Sequence, residues 1–368
     1  MDRLANGIQA IGQEEWGWEM AGMNKRVRVA ILGASGYTAA ELARILLGHP
    51  GAEIVAATSR QDESPRFSQL HPQFTGLLDF SCAPFDPKAL KDKGVEVAFG
   101  CLPHGASQEA IAGLVAHGIR AVDLSADFRL RTPEAHKKWY KEDHHYPELL
   151  AEAVYGLPEL YREKIKLARI VANPGCYPQS VQLGLMPLIQ KGWIEPNNII
   201  ADSKSGVSGA GRTPKLGTLY PECNENFSAY QTGIHRHTPE MEQVLSEVGG
   251  SPVSVFFSPH LTPMDRGIFS TIYAKPREKG LTTSLLQEAF RNFYRANPFV
   301  RIVEHLPATK FTAHSNFADL HPIAFEDRIV VLATIDNLVR GASGVAVQNF
   351  NLMTGQSETA GLLPQTRE

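Results

Sequence analysis

The 368-residue chain is short of the features that would place it in a specialised class. Its four cysteines, Cys82, Cys101, Cys176 and Cys223, form no C-x-x-C pair and are too few to staple a chain of this length, so free thiols in a reducing, cytoplasmic setting are expected. No uninterrupted apolar run approaches the roughly 18 residues of a membrane span. The charge balance, 36 Lys+Arg against 39 Asp+Glu, offers no basic field to nucleic acid or anionic lipid. No internal repeat or low-complexity linker is present. Residues 1–23 carry Asp2, Glu14, Glu15 and Glu19 without a basic or an apolar segment, so they read as an N-terminal extension and not as a signal or transit peptide. Met23 in "MNKRVRVAILG" would begin the fold directly. What remains is small-molecule chemistry, with no nucleic acid and no membrane.

The length points to two domains. In the first half, short β-branched runs alternate with helix-length stretches: 27–32, 53–58, 95–99, 119–124 and 169–173, with helices expected over 38–48 and 106–117. That rhythm predicts βαβ units and a parallel sheet. After Cys176 longer strands (198–203, 252–258, 268–274, 329–335) and an amphipathic helix near 282–296 predict an α+β domain with a mixed or antiparallel sheet. The last stretch, 336–355, has small and apolar residues at helical spacing and is expected to return to the first domain. The expected division is α/β: residues 24–175 with 337–368 as a Rossmann domain, and 176–336 as a catalytic domain.

"VRVAILGASGYTAAEL" is a strand, a glycine turn and a helix. Gly33 and Gly36 permit close backbone approach, and the helix start at Tyr37 and Thr38 would offer amides to a pyrophosphate, with Ala34 and Ser35 completing the turn. The spacing is G-x-x-G rather than G-x-G-x-x-G, so a plain strand-to-helix turn is the competing reading. The second strand ends at Ser59 and Arg60, where an acid would take the ribose hydroxyls of NAD. A guanidinium there suits a 2′-phosphate, so NADP/NADPH is expected unless Arg60 is merely a solvated surface residue. "GCLPHG", with Pro103, and "DLSADFR" close further strands where ligands bind in such folds.

In "ANPGCYPQSVQLGLMPL" the residues Asn173-Pro174-Gly175 break regular structure just before an apolar, helix-spaced run, with Pro178 suited to its first turn and Pro187 a candidate kink or stop. Cys176 therefore begins a helix, where amides and dipole would lower a thiol pKa and serve an oxyanion. The alternative is an inert buried cysteine. "GIHRHTPEMEQVL" sets His235 and His237 on one face of an extended segment before Thr238, a candidate N-cap. An imidazole beside a thiol can act as acid and base. Structural histidines and a metal pair are the alternatives, but no carboxylate or cysteine stands at zinc spacing, so no metal is expected. "SKSGVSGAGRTPK", 203–215, is an amide-rich loop whose Lys204, Arg212 and Lys215 suit an anion, or an ordinary surface loop.

"GASGYT", "CLPHG", "DLSADFRL", "VYGLPEL", "ANPGCYP", "SGVSGAGR", "HRHTPE" and "IDNLVRGASG" occur in order from about residue 25 to 355, and together the chain resembles the N-acetyl-gamma-glutamyl-phosphate reductase family. The resemblance implies an NADP-binding Rossmann domain, a catalytic domain of the semialdehyde and glyceraldehyde-phosphate dehydrogenase type, and a homodimer or homotetramer. It implies NADPH-dependent reduction of an acyl phosphate to a semialdehyde in arginine biosynthesis, with Cys176 as nucleophile and His235 as acid/base. On this reading Asn173, Arg212, His237 and Asn316 contact substrate, with Arg212 the anion clamp and Arg236 or Lys215 the alternatives. Ser205, Gly206 and Asn337 join the glycine turn around the cofactor. Two departures stand out, Ala39 where relatives carry glycine, and His314 where relatives show glycine before "SN". A reductase of another acyl phosphate, aspartyl or aminoadipyl, is the nearest alternative, and a non-catalytic NADP-binding sensor a more distant one.

Overall fold

A computed structural model describes residues 26–61 and 64–363; the expected N-terminal extension lies outside the described residues. The first unit holds a six-stranded, all-parallel sheet. Its strands are β1 (Val27–Leu32), β2 (Ala52–Thr58), β3 (Val97–Gly100), β4 (Arg120–Asp123), β5 (Val154–Tyr155) and β6 (Ile170–Ala172), in the order β2-β1-β3-β4-β6-β5. Residues Val29 to Leu32 are wholly buried because helices cover both faces of the sheet, which is why the strand reads as a continuous apolar run. From β1 the chain moves outward to β2, then returns to the other side of β1 as β3. This reversal opens a crevice at the carboxyl ends of β1 and β3.

The second unit is a seven-stranded mixed sheet of β7 (Ile194–Gly206), β8 (Ser228–Ala229), β9 (Val255–Thr262), β10 (Ile268–Pro276), β11 (Val300–Ile302), β12 (Ala318–Ala324) and β13 (Ile329–Ile335), ordered β11-β12-β13-β10-β7-β9-β8. One face of it is covered by the helix Cys176–Gln190, which packs on β10, β13 and β7 and against the helix Thr238–Gly249. Pro187 neither stops nor starves that helix. The proline cannot donate to the carbonyl of Leu183, and the hydroxyl of Tyr294 donates to that carbonyl instead, at 2.6 Å.

After β13 the chain makes a π turn over Val339–Ser343 and enters the helix Gly344–Met353, which packs on the helices Tyr37–Leu47 and Pro158–Leu167 of the first unit. Asp336 organises this return. One carboxylate oxygen accepts the amides of Leu338 and Val339, and the other accepts the amide of His314 at 2.7 Å and Arg266 Nη1 at 3.2 Å. At the crossing, a Cβ on Gly341 would lie 2.7 Å from the Cβ of Cys176, so only glycine lets the returning segment pass behind the thiol.

Candidate active site

Two concave regions matter here, one in the first unit and one lined by both units. The first is the crevice. Gly33 sits at φ +82°, and a Cβ there would meet the carbonyl oxygen of Cys101 at 2.6 Å. The amides of Gly33 and Ala34 are tied to the carbonyl of Thr58, and the helix Tyr37–Leu47 begins at Gly36. A cavity of about 190 Å³ is lined by Gly33, Ser59, Arg60 and Leu102, so the expected ribose-side residues meet the glycine turn. These residues fit a dinucleotide phosphate: a cradle that a side chain would fill, a helix start, and an arginine with no acid partner among the described residues. His71, unremarked in the sequence, fixes the turn by pairing its Nε2 with the carbonyl of Ala34 at 2.7 Å.

The second region is a cavity of about 680 Å³ whose wall includes Cys176, Ser205, Lys215, His235, Arg236 and His237. Cys176 is half-buried in the first turn of its helix, as the sequence predicts. Its ionisation differs from expectation. Burial pushes the thiol up to about 11, outweighing the Tyr177 amide and the Arg129 charge, which favour the thiolate. The helix start therefore moderates a desolvated thiol and does not by itself ionise it.

His235 is nearly enclosed, at 6 % exposure. Burial, followed by the charge of Arg236, lowers its pKa to about 4, so the ring is neutral at pH 7. The backbone N–H of His237 donates to His235 Nδ1 at 3.1 Å, which places the proton of the neutral ring on Nε2. His237 is also held neutral, chiefly by burial and then by His235, and its Nδ1 has no partner among the described residues. Thr238 is not the N-cap: His237 occupies that position, and the Thr238 hydroxyl is buried without a partner among the described residues.

Beneath the thiol lies a network that the sequence reading passed over. Glu240, fully buried, accepts the Gly175 amide and the Tyr155 hydroxyl on one oxygen, each at 2.6 Å, and Arg129 Nη1 at 3.3 Å on the other. Arg129 also donates from Nε to the carbonyl of Asn173 at 2.8 Å. Both residues stand inside segments singled out for other reasons, "DLSADFR" and "HRHTPE". Nothing in one dimension pairs them across 111 positions.

The loop from Ser205 to Arg212 joins the two regions. Ser205, Gly209 and Ala210 line the thiol cavity, while Arg212 Nη1 donates to the carbonyls of Ser35 and Leu70, each at 3.0 Å. Arg212, expected as the substrate clamp, is thus placed against the glycine turn, because its reach across the unit boundary is toward those carbonyls. Asn173 and Asn316 are likewise outside the cavity wall. The Asn173 amide bridges Ala342 and Asn349, and Asn316 Nδ2 donates to Gln348 at 2.9 Å, so both tie the C-terminal helix in place. Asn337 accepts the Gly267 amide at 2.7 Å and donates to Ser208 at 3.0 Å, which shapes the loop beside Gly206. Pro103 lies in the turn after β3, its carbonyl accepting the amide of Ala106.

Comparison with known proteins decides the family. The chain is 50% identical over 344 residues to an N-acetyl-gamma-glutamyl-phosphate reductase of Rhodopirellula baltica, covering 92% of this chain and 99% of that one. It is 47% identical over 346 residues to one of Magnetococcus marinus, covering 92% and 98%. The chain belongs to the N-acetyl-gamma-glutamyl-phosphate reductase family. Within this reductase family's wider grouping, residues 28–168 match the family described as "Semialdehyde dehydrogenase, NAD binding domain", and residues 176–337 match "Semialdehyde dehydrogenase, dimerisation domain". The fold is that of aspartate semialdehyde dehydrogenases: the Candida albicans enzyme with NADP gives a TM-score of 0.68 at 13% identity, covering 90% of this chain and 99% of that one. The Vibrio cholerae enzyme II gives 0.65 at 15% identity, with the same coverage. Among the described residues, no helix of this reductase-family chain is long and apolar enough to cross a membrane.

Proposed function

We propose that the chain reduces N-acetyl-L-glutamyl 5-phosphate to the 5-semialdehyde with release of phosphate, using NADPH and a covalent thioester on Cys176, in arginine biosynthesis. The observation that carries this reading is the meeting of Cys176 and neutral His235 in one cavity, joined by the Ser205–Arg212 loop to the glycine crevice. The family membership supports it independently.

Cys176 sulfur attacks the acyl carbon, the bond to the phosphoryl oxygen breaks, and the thiol proton leaves with the product as hydrogen phosphate. His235 donates its Nε2–H to the carbonyl oxygen as negative charge develops there, while the amides at the helix start serve the same oxyanion. The thioester splits one difficult reduction into two easier steps. Gly33, Ala34, Gly36, Ser59 and Arg60 would hold NADPH, which supplies the hydride when bound. As the sulfur departs from the reduced carbon, His235 passes it a proton taken up from solvent, which regenerates the thiol and leaves the ring neutral again.

The residue division proposed above, 24–175 with 337–368 and 176–336, gives each half of the reaction its own unit. We further propose a homodimer or homotetramer built on the open face of the second sheet, where Ile200 and Phe256 are exposed partners across β7 and β9. A reducing cytoplasmic location fits four free cysteines. The test is NADPH oxidation with N-acetylglutamyl phosphate, run beside aspartyl and aminoadipyl phosphates and beside the phosphate-dependent reverse reaction. A faster rate with either rival acyl phosphate overturns the substrate assignment.

A further inference from the structure

The substrate of the proposed reaction carries two anionic ends, yet the arginine expected to hold one of them is engaged at the glycine turn. The thiol cavity has two other cations on its wall, Arg236 and Lys215. Neither makes a salt bridge among the described residues, whereas Arg129 beneath them is matched by Glu240. The region around Arg236 is therefore in positive excess, and its other neighbours are neutral. Tyr140 is kept protonated mainly by burial, and His104 is uncharged at pH 7. The wall carries two cations and no carboxylate, which is the composition of an oxyanion site.

The two cations are not equivalent. Arg236 lies between the two cavity histidines and is close enough to Cys176 for their charges to interact. Both residues are exposed, and Lys215 lies on the loop after Arg212, on a part of the wall contributed by a different segment. Attack by sulfur fixes the acyl carbon at Cys176. The phosphoryl group is attached through one oxygen to that carbon, while the carboxylate is at the far end of the carbon chain. The cation whose charge reaches the thiol then faces the phosphoryl group, and the other the carboxylate.

Resting on the reductase reading, we propose that Arg236 binds the phosphoryl group of the acyl phosphate and the product phosphate, and that Lys215 binds the substrate carboxylate. Guanidinium suits the first task because it can grip two phosphoryl oxygens at once, and the charge it brings also stabilises the departing phosphate. Partial enclosure lowers the pKa of Arg236, a cost that a bound oxyanion offsets.

The reverse reaction separates the two ends, since phosphate and semialdehyde enter as distinct substrates. Arg236→Gln is expected to raise KM for inorganic phosphate by about 10- to 100-fold, the range for losing a charge-assisted hydrogen bond, while KM for the semialdehyde stays within about twofold. Lys215→Gln is expected to do the opposite. A second readout needs no turnover: inorganic phosphate should slow iodoacetamide alkylation of Cys176 in the parent enzyme, and Arg236→Gln should abolish that protection. Arg236→Lys, which keeps the charge, should recover part of both effects, and unchanged NADPH affinity and melting temperature exclude a folding defect. Unaltered phosphate KM and protection in Arg236→Gln overturns the assignment, as does an equal rise in both KM values. Should the parent show phosphate protection but no turnover of the semialdehyde, the substrate reading fails while the phosphate site stands.

Discussion

The carboxylate of Glu240 accepts the backbone amide of Gly175 at 2.6 Å, and so the residue before the nucleophile is pinned by a side chain from the helix that follows the two histidines. The same carboxylate neutralises the buried guanidinium of Arg129, which in turn holds the carbonyl of Asn173. Thiol loop, histidine segment and the end of β4 are thereby one unit. Glu240→Gln keeps the size but leaves Arg129 buried without its counter-charge. We expect a loss of about 3–5 kcal/mol of stability, read by denaturant unfolding, and a fall in kcat beyond what reduced folding explains. A variant as stable and as active as the parent would show that the pair is incidental.

Cys176 titrates at about 11 in the ligand-free enzyme because burial outweighs the amides around it. Only the thiolate reacts with iodoacetamide, so below that value its rate should climb about tenfold for each pH unit. The expected profile between pH 7 and 9 is a straight rise with no plateau. A plateau near neutrality would mean a thiolate already formed before substrate arrives. Cys176→Ser should bind NADPH normally and lose nearly all reductase activity.

His235 enters the reaction as a neutral ring with its proton on Nε2. His235→Asn is expected to lower kcat by roughly 10²- to 10⁴-fold, the usual scale for one acid/base group. The sign of the pH effect follows from a pKa of about 4: the ring gains a second proton only at strongly acid pH, so no loss of kcat/KM attributable to it should occur between pH 6 and 8. A bell-shaped profile centred on a pKa near 6.5 that disappears in His235→Asn would contradict the assignment.

What the sequence disclosed follows from range. β1 and β13 were readable to the residue, since their apolar runs are set by local burial. β12 was passed over because Asp319, His321 and Pro322 break its pattern. They are tolerated because Arg301 pairs with Asp319 and the carbonyl of Val303 faces His321. The thiol, the histidines and the glycine turn were legible as motifs. Arg212, Asn173 and Asn316 stand off the cavity wall, and Glu240 and Arg129 were overlooked, for one reason: which way a side chain reaches across the junction is decided by the packing of two sheets and carries no periodic signal.

Acid should unfold this protein sooner than a neutral-pH measurement suggests. His104 is lowered to about 3, and His144 and His235 to about 4, in each case chiefly by burial. Between those values and the unfolded pKa of 6.5 the unfolded chain binds more protons, so stability is present above pH 6.5 and is lost as pH falls toward 4. Asp123 acts in the opposite sense. Burial raises it to about 6, so from there down to 3.8 it favours the folded state as pH drops. His49, His71 and His237 are lowered by burial as well, so the imidazoles outweigh the one carboxyl and leave a net loss, each fully shifted group contributing about 1.4 kcal/mol per pH unit within its window. Denaturant midpoints at pH 7 and 5 test this, and equal midpoints would refute it.

His314, where the resemblance leads one to expect glycine, takes a backbone conformation that suits glycine. Its φ is +60°, a left-handed conformation that costs a residue with a Cβ about 1 kcal/mol or more. In return its backbone amide is anchored by Asp336 at 2.7 Å and its ring Nδ1 meets Arg266 Nη1 at 2.6 Å. The imidazole contact offsets the backbone strain. Two substitutions separate the terms: His314→Gly removes the strain and the contact together, whereas His314→Ala removes the contact and keeps the strain. The expected order of melting temperature places glycine close to the parent and alanine below both, by a difference equivalent to about 1 kcal/mol. Because Arg266 also bridges Glu41 and Asp336, it stays fixed in either variant, and the comparison isolates residue 314. An alanine variant as stable as the glycine one would mean that the left-handed backbone is not strained at this position.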